Sequence, residues 1–244
     1  MTVGNSNPEK SIVFIHGSGC NSAIWAYQSR YFSRKYRVVA LDLPGHGQDG
    51  RETLKSVGEI ADFVLSEIER LKLHSPVVAG HSLGGAVALQ LALNAQERLS
   101  AVALVGTGAR LRVLPSLLES ILSDYGAALG TLASCSYSSS TPKATIEKAV
   151  SEMKKIPAQV LYDDMVACDR FDVMQRLGEI HLPALVVVGR DDFMTPLKYS
   201  AYLRANLRRA RLEVIDGAGH MVMIEQPERF NTVLDTFLRT TLSH

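Results

Sequence analysis

Short apolar runs recur along the chain, separated by longer stretches whose apolar residues fall at helical spacing. Residues 12–15, 37–41, 77–79, 101–105, 185–188 and 211–215 are rich in Val, Ile, Leu and Ala and nearly continuous in apolar character. Such runs predict strands buried on both faces of a parallel sheet, because an alternating pattern would leave one face for water. Between them, residues 57–71 place Ile60, Val64, Leu65, Ile68 and Leu71 on one stripe, and residues 83–95 form a second helical stretch. A third helix is predicted over 227–242, with Pro227 suited to a first turn and Phe230, Val233, Leu234, Phe237 and Leu238 on its apolar face. The alternation predicts an α/β fold: a mostly parallel sheet with helices on both faces.

The rhythm breaks between residues 109 and 181, where no convincing strand appears. Helical pieces there are separated by the small, polar stretch 134–142, and Pro115, Pro142 and Pro157 mark expected starts or breaks. The organisation expected is a core of residues 1–108 and 182–244, interrupted by a helical lid, 109–181, over the site. At 244 residues the chain fits one domain with an insertion.

Composition narrows the function. Hydrophobic residues make up 46% and charged residues 21%, as in ordinary globular proteins, which argues against disorder and fibrous repeats. Lysine and arginine number 26 against 25 acidic residues, so there is no strong field to gather nucleic acid or an anionic membrane. No stretch approaches the roughly 18 apolar residues of a membrane span, and the polar first ten residues lack a secretory apolar run, so a cytoplasmic location is expected. Cys20, Cys135 and Cys168 are odd in number and widely spaced, which fits free thiols rather than a disulfide or metal framework.

The strongest chemical signal is Gly80-His81-Ser82-Leu83-Gly84, placed between a predicted strand and a predicted helix. A serine on that tight turn projects its hydroxyl from the end of a sheet, and glycines beside it let strand and helix approach closely. The hydroxyl is a weak nucleophile, so a base must take its proton and a third group must orient the base. Asp191 and Asp192 follow the strand predicted over 185–188, and His220 follows the last strand. Each lies just past the C-terminal end of a strand, where open parallel sheets place their sites.

Taken with His16-Gly17-Ser18-Gly19, Asp42-Leu43-Pro44-Gly45-His46-Gly47, Gly189-Arg190-Asp191-Asp192-Phe193-Met194-Thr195-Pro196 and Gly219-His220, the chain resembles the α/β-hydrolase superfamily over nearly its whole length, in the serine esterase-like branch with a small helical lid. The resemblance implies a Ser82, Asp192, His220 triad, because the family spacing of glycine, two residues, aspartate, three residues and proline aligns Asp192 with the catalytic acid. It also implies an oxyanion hole from the backbone N–H groups of Ser18 and Leu83. One departure is that only about ten residues precede the first recognised strand, where the family usually has another strand pair, so a sheet shortened at its N-terminal edge is expected.

Among the other candidates, Trp25 and Met221 could border a substrate pocket, although a lone aromatic after a loop is more often core and Met221 is equally suited to cover the helix below it. His16 and His46 suit loop-shaping hydrogen bonds, His81 packing, and Asp42 a loop anchor. The expected reaction is acyl transfer to water from small to medium carboxylic esters, with no metal or organic cofactor and a small-molecule ester as partner. Activity should rise with a histidine-like ionisation between about pH 6 and 8. Carbon–carbon hydrolases of ring-cleavage products, enol-lactonases and thioesterases share the triad. A ligand receptor retaining a hydrolase pocket is the alternative of another class, distinguished by slow turnover. Haloalkane dehalogenases and epoxide hydrolases are disfavoured because they place aspartate where this chain has Ser82.

Overall fold

The computed structural model describes residues 10–47 and 50–242. Most of the polar first ten residues, His244, and whatever precedes Lys10 at the sheet's N-terminal edge lie outside them.

Among the described residues, six strands form one sheet: β1 (Ser11–Ile15), β2 (Arg37–Leu41), β3 (Val77–His81), β4 (Ala101–Val105), β5 (Ala184–Gly189) and β6 (Ala210–Ile215). Their order is β2-β1-β3-β4-β5-β6, with every neighbouring pair parallel. The continuous apolar runs have a direct cause, since consecutive side chains of a strand enter opposite cores. Val13 and Ile15 of β1 join the cluster on one face, whereas Ile12 and Phe14 join the other. The edge strands β2 and β6 are less completely covered, and β6 leaves Arg211 and Glu213 exposed.

The first face is covered by α2 (Val57–Arg70) and α3 (Leu83–Asn94), and the second by α1 (Ala26–Phe32) and the C-terminal helix described below. Helix α2 buries Ile60, Val64 and Ile68 as its stripe predicts, and Ser56 caps it by accepting the Glu59 N–H at 3.2 Å. Helix α3 is apolar all round and buried almost throughout, so it lacks a stripe but still packs on the sheet.

Four helices lie between β4 and β5: α4 (Pro115–Ser123), α5 (Tyr125–Ser136), α6 (Lys143–Met153) and α7 (Ala158–Arg170). Pro115 is a first-turn residue, and Pro142 and Pro157 are the residues immediately before α6 and α7. These helices share a small core of Ile121, Leu129, Leu132, Leu161 and Met165. Their neck is closed by antiparallel backbone pairing, in which the Val173 N–H donates to the Ala109 carbonyl at 2.8 Å beside the Arg110–Asp172 bridge. Helices α8 (Leu197–Asn206), α9 (Val222–Glu225) and α10 (Pro227–Thr241) complete the chain. No helix among the described residues is long and apolar enough to cross a membrane.

Candidate active site

Ser82 sits between the end of β3 and the start of α3 with φ +53° and ψ −115°, a backbone region L-residues rarely adopt. Two interactions hold it there: its N–H donates to the Val105 carbonyl at 2.9 Å, and its carbonyl accepts from Thr107 Oγ1 at 2.8 Å. The glycines around it are required by close approach. A Cβ on Gly80 would stand 1.9 Å from the Gly84 carbonyl oxygen, and one on Gly84 would stand 2.4 Å from the Ile15 carbonyl oxygen. Leu83 opens α3, so its N–H is one of the first-turn amides for which a helix supplies no carbonyl.

Behind the cavity, His220 and Asp192 form a buried pair, with Nδ1 of His220 donating to Asp192 Oδ2 at 2.9 Å. Asp192 Oδ1 accepts the N–H groups of Met194 and Thr195 at 2.9 and 2.8 Å, and Thr195 Oγ1 donates to Oδ2 at 2.8 Å. Burial alone would raise this carboxyl, but His220 and the Thr195 donors outweigh it and hold Asp192 below the usual carboxylate range. Asp192 is therefore a carboxylate at neutral pH. Asp191 is not part of the pair; its N–H donates to the Ala218 carbonyl at 2.9 Å.

Ser82, His220, Ser18, Met221 and Thr195 line one cavity of about 920 Å³. Its walls come from both parts of the chain: Ile24, Met194 and Ile224 from the core, and Leu132, Ala149, Met153 and Met165 from the inserted helices. Trp25 does not line it. The indole is fully buried and stacked on Phe14 with ring centroids 4.7 Å apart, because the turn that carries it points it beneath the sheet while its neighbours Ile24 and Tyr27 face the cavity. This corrects the pocket role expected for Trp25.

The loop residues have structural partners. His16 donates from Nδ1 to the Gly17 carbonyl at 2.9 Å and accepts the Leu43 N–H at Nε2 at 3.1 Å, and Asp42 accepts the Ser22 N–H at 2.7 Å. Burial, aided by the neighbouring His46, lowers His16 to about 3 and keeps it neutral. Cys20 also lines the cavity, but burial raises its thiol to about 12, so it is not a thiolate nucleophile at neutral pH.

Residues beyond the triad support the site, Thr195 among them. His81 Nε2 donates to the His220 carbonyl at 3.1 Å, with the two rings 4.6 Å apart; burial and the nearby His220 push it well below its ordinary value, so it stays neutral. Glu225 accepts the Gly219 N–H at 2.9 Å, the Ser138 N–H at 2.8 Å and the Thr141 hydroxyl at 2.6 Å, tying the loop before His220 to the turn between α5 and α6. Glu225 has no signal in the sequence, because its bonds to Ser138 and Thr141 join segments whose proximity only the fold creates, whereas His81 and Thr195 lie within the motifs around Ser82 and Asp192.

A parallel sheet with a strained serine turn and a buried histidine–carboxylate pair beyond its strand ends has the architecture of a hydrolytic enzyme. The chain belongs to the alpha/beta hydrolase family, whose profile matches residues 12–233. It is 26% identical over 250 residues to a pimeloyl-[acyl-carrier protein] methyl ester esterase of Nitrosomonas europaea, covering 96% of each chain. It is 26% identical over 252 residues to a 3-oxoadipate enol-lactonase of Acinetobacter baylyi, covering 98% of this chain and 93% of that one. Among solved structures, a thermophilic esterase superimposes with a TM-score of 0.85 at 36% identity, covering 94% of this chain and 90% of that one.

Proposed function

We propose that the protein hydrolyses carboxylic esters of small molecules through an acyl-enzyme on Ser82. The observation that carries this reading is the shared cavity, which Ser82 and His220 both line, with Asp192 held behind the imidazole at 2.9 Å. Ser82 Oγ attacks the ester carbonyl carbon while His220 Nε2 takes its proton. The tetrahedral oxyanion is met by the N–H groups of Ser18 and Leu83, and its collapse expels the alcohol, which receives the proton from His220. Water, deprotonated by His220, then attacks the acyl-enzyme, releasing the acid and restoring Ser82. Asp192 fixes the imidazole tautomer and stabilises the imidazolium during both steps. Each oxyanion donor is worth about 3 kcal/mol of transition-state stabilisation.

The inserted helices act as a lid in this reading, since they supply one wall of the cavity. A volume near 920 Å³ lies toward the upper end of small-molecule sites, which run to about 1,000 Å³. Met153, Met165, Met194 and Met221 give the walls flexible, apolar side chains that adapt to differing acyl groups. Medium-length acyl groups fill such a space better than acetyl. The likeness to an enol-lactonase favours a second reading within the same chemistry, a cyclic enol ester as substrate.

The test is hydrolysis of nitrophenyl esters from acetyl to decanoyl, alongside an enol-lactone, by the native protein and by Ser82→Ala. Rapid turnover lost in the variant is expected, with the best specificity constant at medium length. Turnover that survives Ser82→Ala would overturn the assignment.

A further inference from the structure

A single buried carboxylate joins the inserted helices to the loop that carries the Ser18 N–H. Asp164, on α7, accepts two hydrogen bonds at Oδ2: the Gly19 N–H at 2.9 Å and His46 Nε2 at 2.9 Å. Gly19 directly follows Ser18, has φ +63°, and lies so close to α7 that a Cβ on it would stand 2.8 Å from Leu161 Cδ1. Moving Asp164 therefore moves the peptide next to the proposed oxyanion donor.

The geometry suits an ionic pair. His46 Nδ1 lies 3.1 Å from the Pro44 carbonyl oxygen while Nε2 faces Asp164, so both ring nitrogens face oxygen acceptors, the arrangement that a doubly protonated ring requires. An imidazolium and a carboxylate, with side chains 1% and 2% exposed, compensate each other where neither would be tolerated alone. The surrounding groups leave this pairing intact. Neutral His16 packs 4.8 Å from the His46 ring, and Asp42 near it accepts the Ser22 N–H. On the Asp164 side, Cys20 and Cys168 are pushed up to about 12 and Tyr125 is raised, all chiefly by burial, so none of them competes as an anion. Asp163, next in the chain, accepts from Gln159 at 2.9 Å.

We propose that Asp164, charged and paired with His46, is a positioning residue for the oxyanion hole, fixing Gly19 so that the Ser18 N–H is aimed at the reacting carbonyl. Because Asp164 belongs to α7, the seating of the inserted helices then sets catalytic power as well as access. The proposal rests on the serine-hydrolase reading above, but can fail separately from it.

The experiment compares native protein, Asp164→Asn and His46→Gln, with rates normalised to sites titrated by a fluorophosphonate. It reads kcat and KM for a nitrophenyl ester and the affinity of a boronic acid, which forms a tetrahedral serine adduct and so reports the oxyanion hole. In both variants kcat should fall on the order of 10- to 100-fold, less than the loss of a whole donor. Boronate affinity should fall in parallel, with KM within about twofold of native. A role in stability alone would lower the titratable fraction and leave kcat per site and boronate affinity native, and that outcome overturns the proposal. If neither variant folds, 15N-edited NMR of the native protein decides whether the ionic pair exists: both His46 nitrogens protonated at about pH 7 supports it, and one protonated nitrogen overturns it. Ser82→Ala distinguishes the other failure, since turnover surviving that change removes the serine reading itself.

Discussion

Among the described residues, two histidine–carboxylate pairs are buried, His220 with Asp192 and His46 with Asp164, and their bond lengths are the same 2.9 Å. What separates them is the far side of each ring. His220 spends only Nδ1 on its carboxylate and lines the cavity beside Ser82, whereas His46 gives its other nitrogen to the Pro44 carbonyl and has no place in the cavity lining. A histidine can shuttle a proton only if one nitrogen is left for the substrate, so pair geometry alone does not mark a base. The backbone separates the regions too. Positive φ beside His46 is carried by Gly45 and Gly47, at +83° and +60°, while at the elbow it is carried by Ser82 at +53°. The scaffold region is relaxed where the reacting region stores strain.

The sharpest way to break this comparison is to delete each half. Ser82→Ala should reduce kcat by about 10⁴- to 10⁶-fold for any ester the native protein turns over. Asp192→Asn should cost about 10⁴-fold by favouring the wrong imidazole tautomer, with KM little changed. His46→Gln should stay within the roughly hundredfold loss expected of positioning. Steady-state kinetics of the three variants on one ester would collapse the distinction if His46→Gln matched Asp192→Asn. Thr195→Val, which removes one donor to a charged oxygen, should cost about tenfold, and an unchanged rate would show that the backbone donors to Asp192 suffice.

The two pairs should also respond to pH in opposite directions. Burial opposes the charge on His46, but Asp164 outweighs it and raises the histidine above its ordinary value. Its contribution to stability is therefore fully present below about pH 6.5, the unfolded value, and is lost as pH rises through the folded one. Asp192 is held below its ordinary value, so its contribution is present above about pH 4 and is lost as pH falls through its folded value. Thermal melts should show the gap between native protein and His46→Gln narrowing from pH 6.5 upward, and the gap to Asp192→Asn narrowing below pH 4. A His46→Gln gap that widened with pH would mean that His46 is neutral and the ionic pair wrong.

Legibility from sequence followed the range of the interactions. All six strands lie within about two residues of the apolar runs, and α2, α3 and α10 within one, because burial on a sheet writes its period locally. Helices α1 and α8 leave no periodic signal in the sequence, since Ala26–Phe32 and Leu197–Asn206 carry no apolar stripe. The elbow could be read because sterics demand its glycines within a few positions. Asp164, Glu225 and Thr107 could not, because Asp164 meets His46 across 118 residues, Glu225 meets Ser138 across 87 and Thr107 meets Ser82 across 25. The pocket candidacy of Trp25 gives way to the core position that a lone aromatic after a loop more often takes, since one such residue gives no clue to which side of the turn it faces.

The smallest effect tests the strain itself. At φ +53° and ψ −115°, Ser82 occupies a conformation that glycine reaches without a Cβ penalty. Ser82→Ala and Ser82→Gly both remove the hydroxyl, so both should be inactive, and the lost chemistry cancels between them. What remains is the Cβ, which alanine keeps and glycine lacks. Relief of left-handed strain favours glycine by about 1–2 kcal/mol, while the greater freedom of glycine in the unfolded chain takes back about 0.4–1 kcal/mol. Ser82→Gly should therefore melt slightly above Ser82→Ala, by a few degrees at most for a chain of this size. The reverse comparison at Gly45, with its φ of +83°, sharpens the point: Gly45→Ala should lower the melting temperature, because there a Cβ would be imposed on a backbone that has glycine. If Ser82→Gly melted no higher than Ser82→Ala, the hydrogen bonds to Val105 and Thr107 would be holding an unstrained turn, and the contrast between a strained reacting region and a relaxed scaffold would fall.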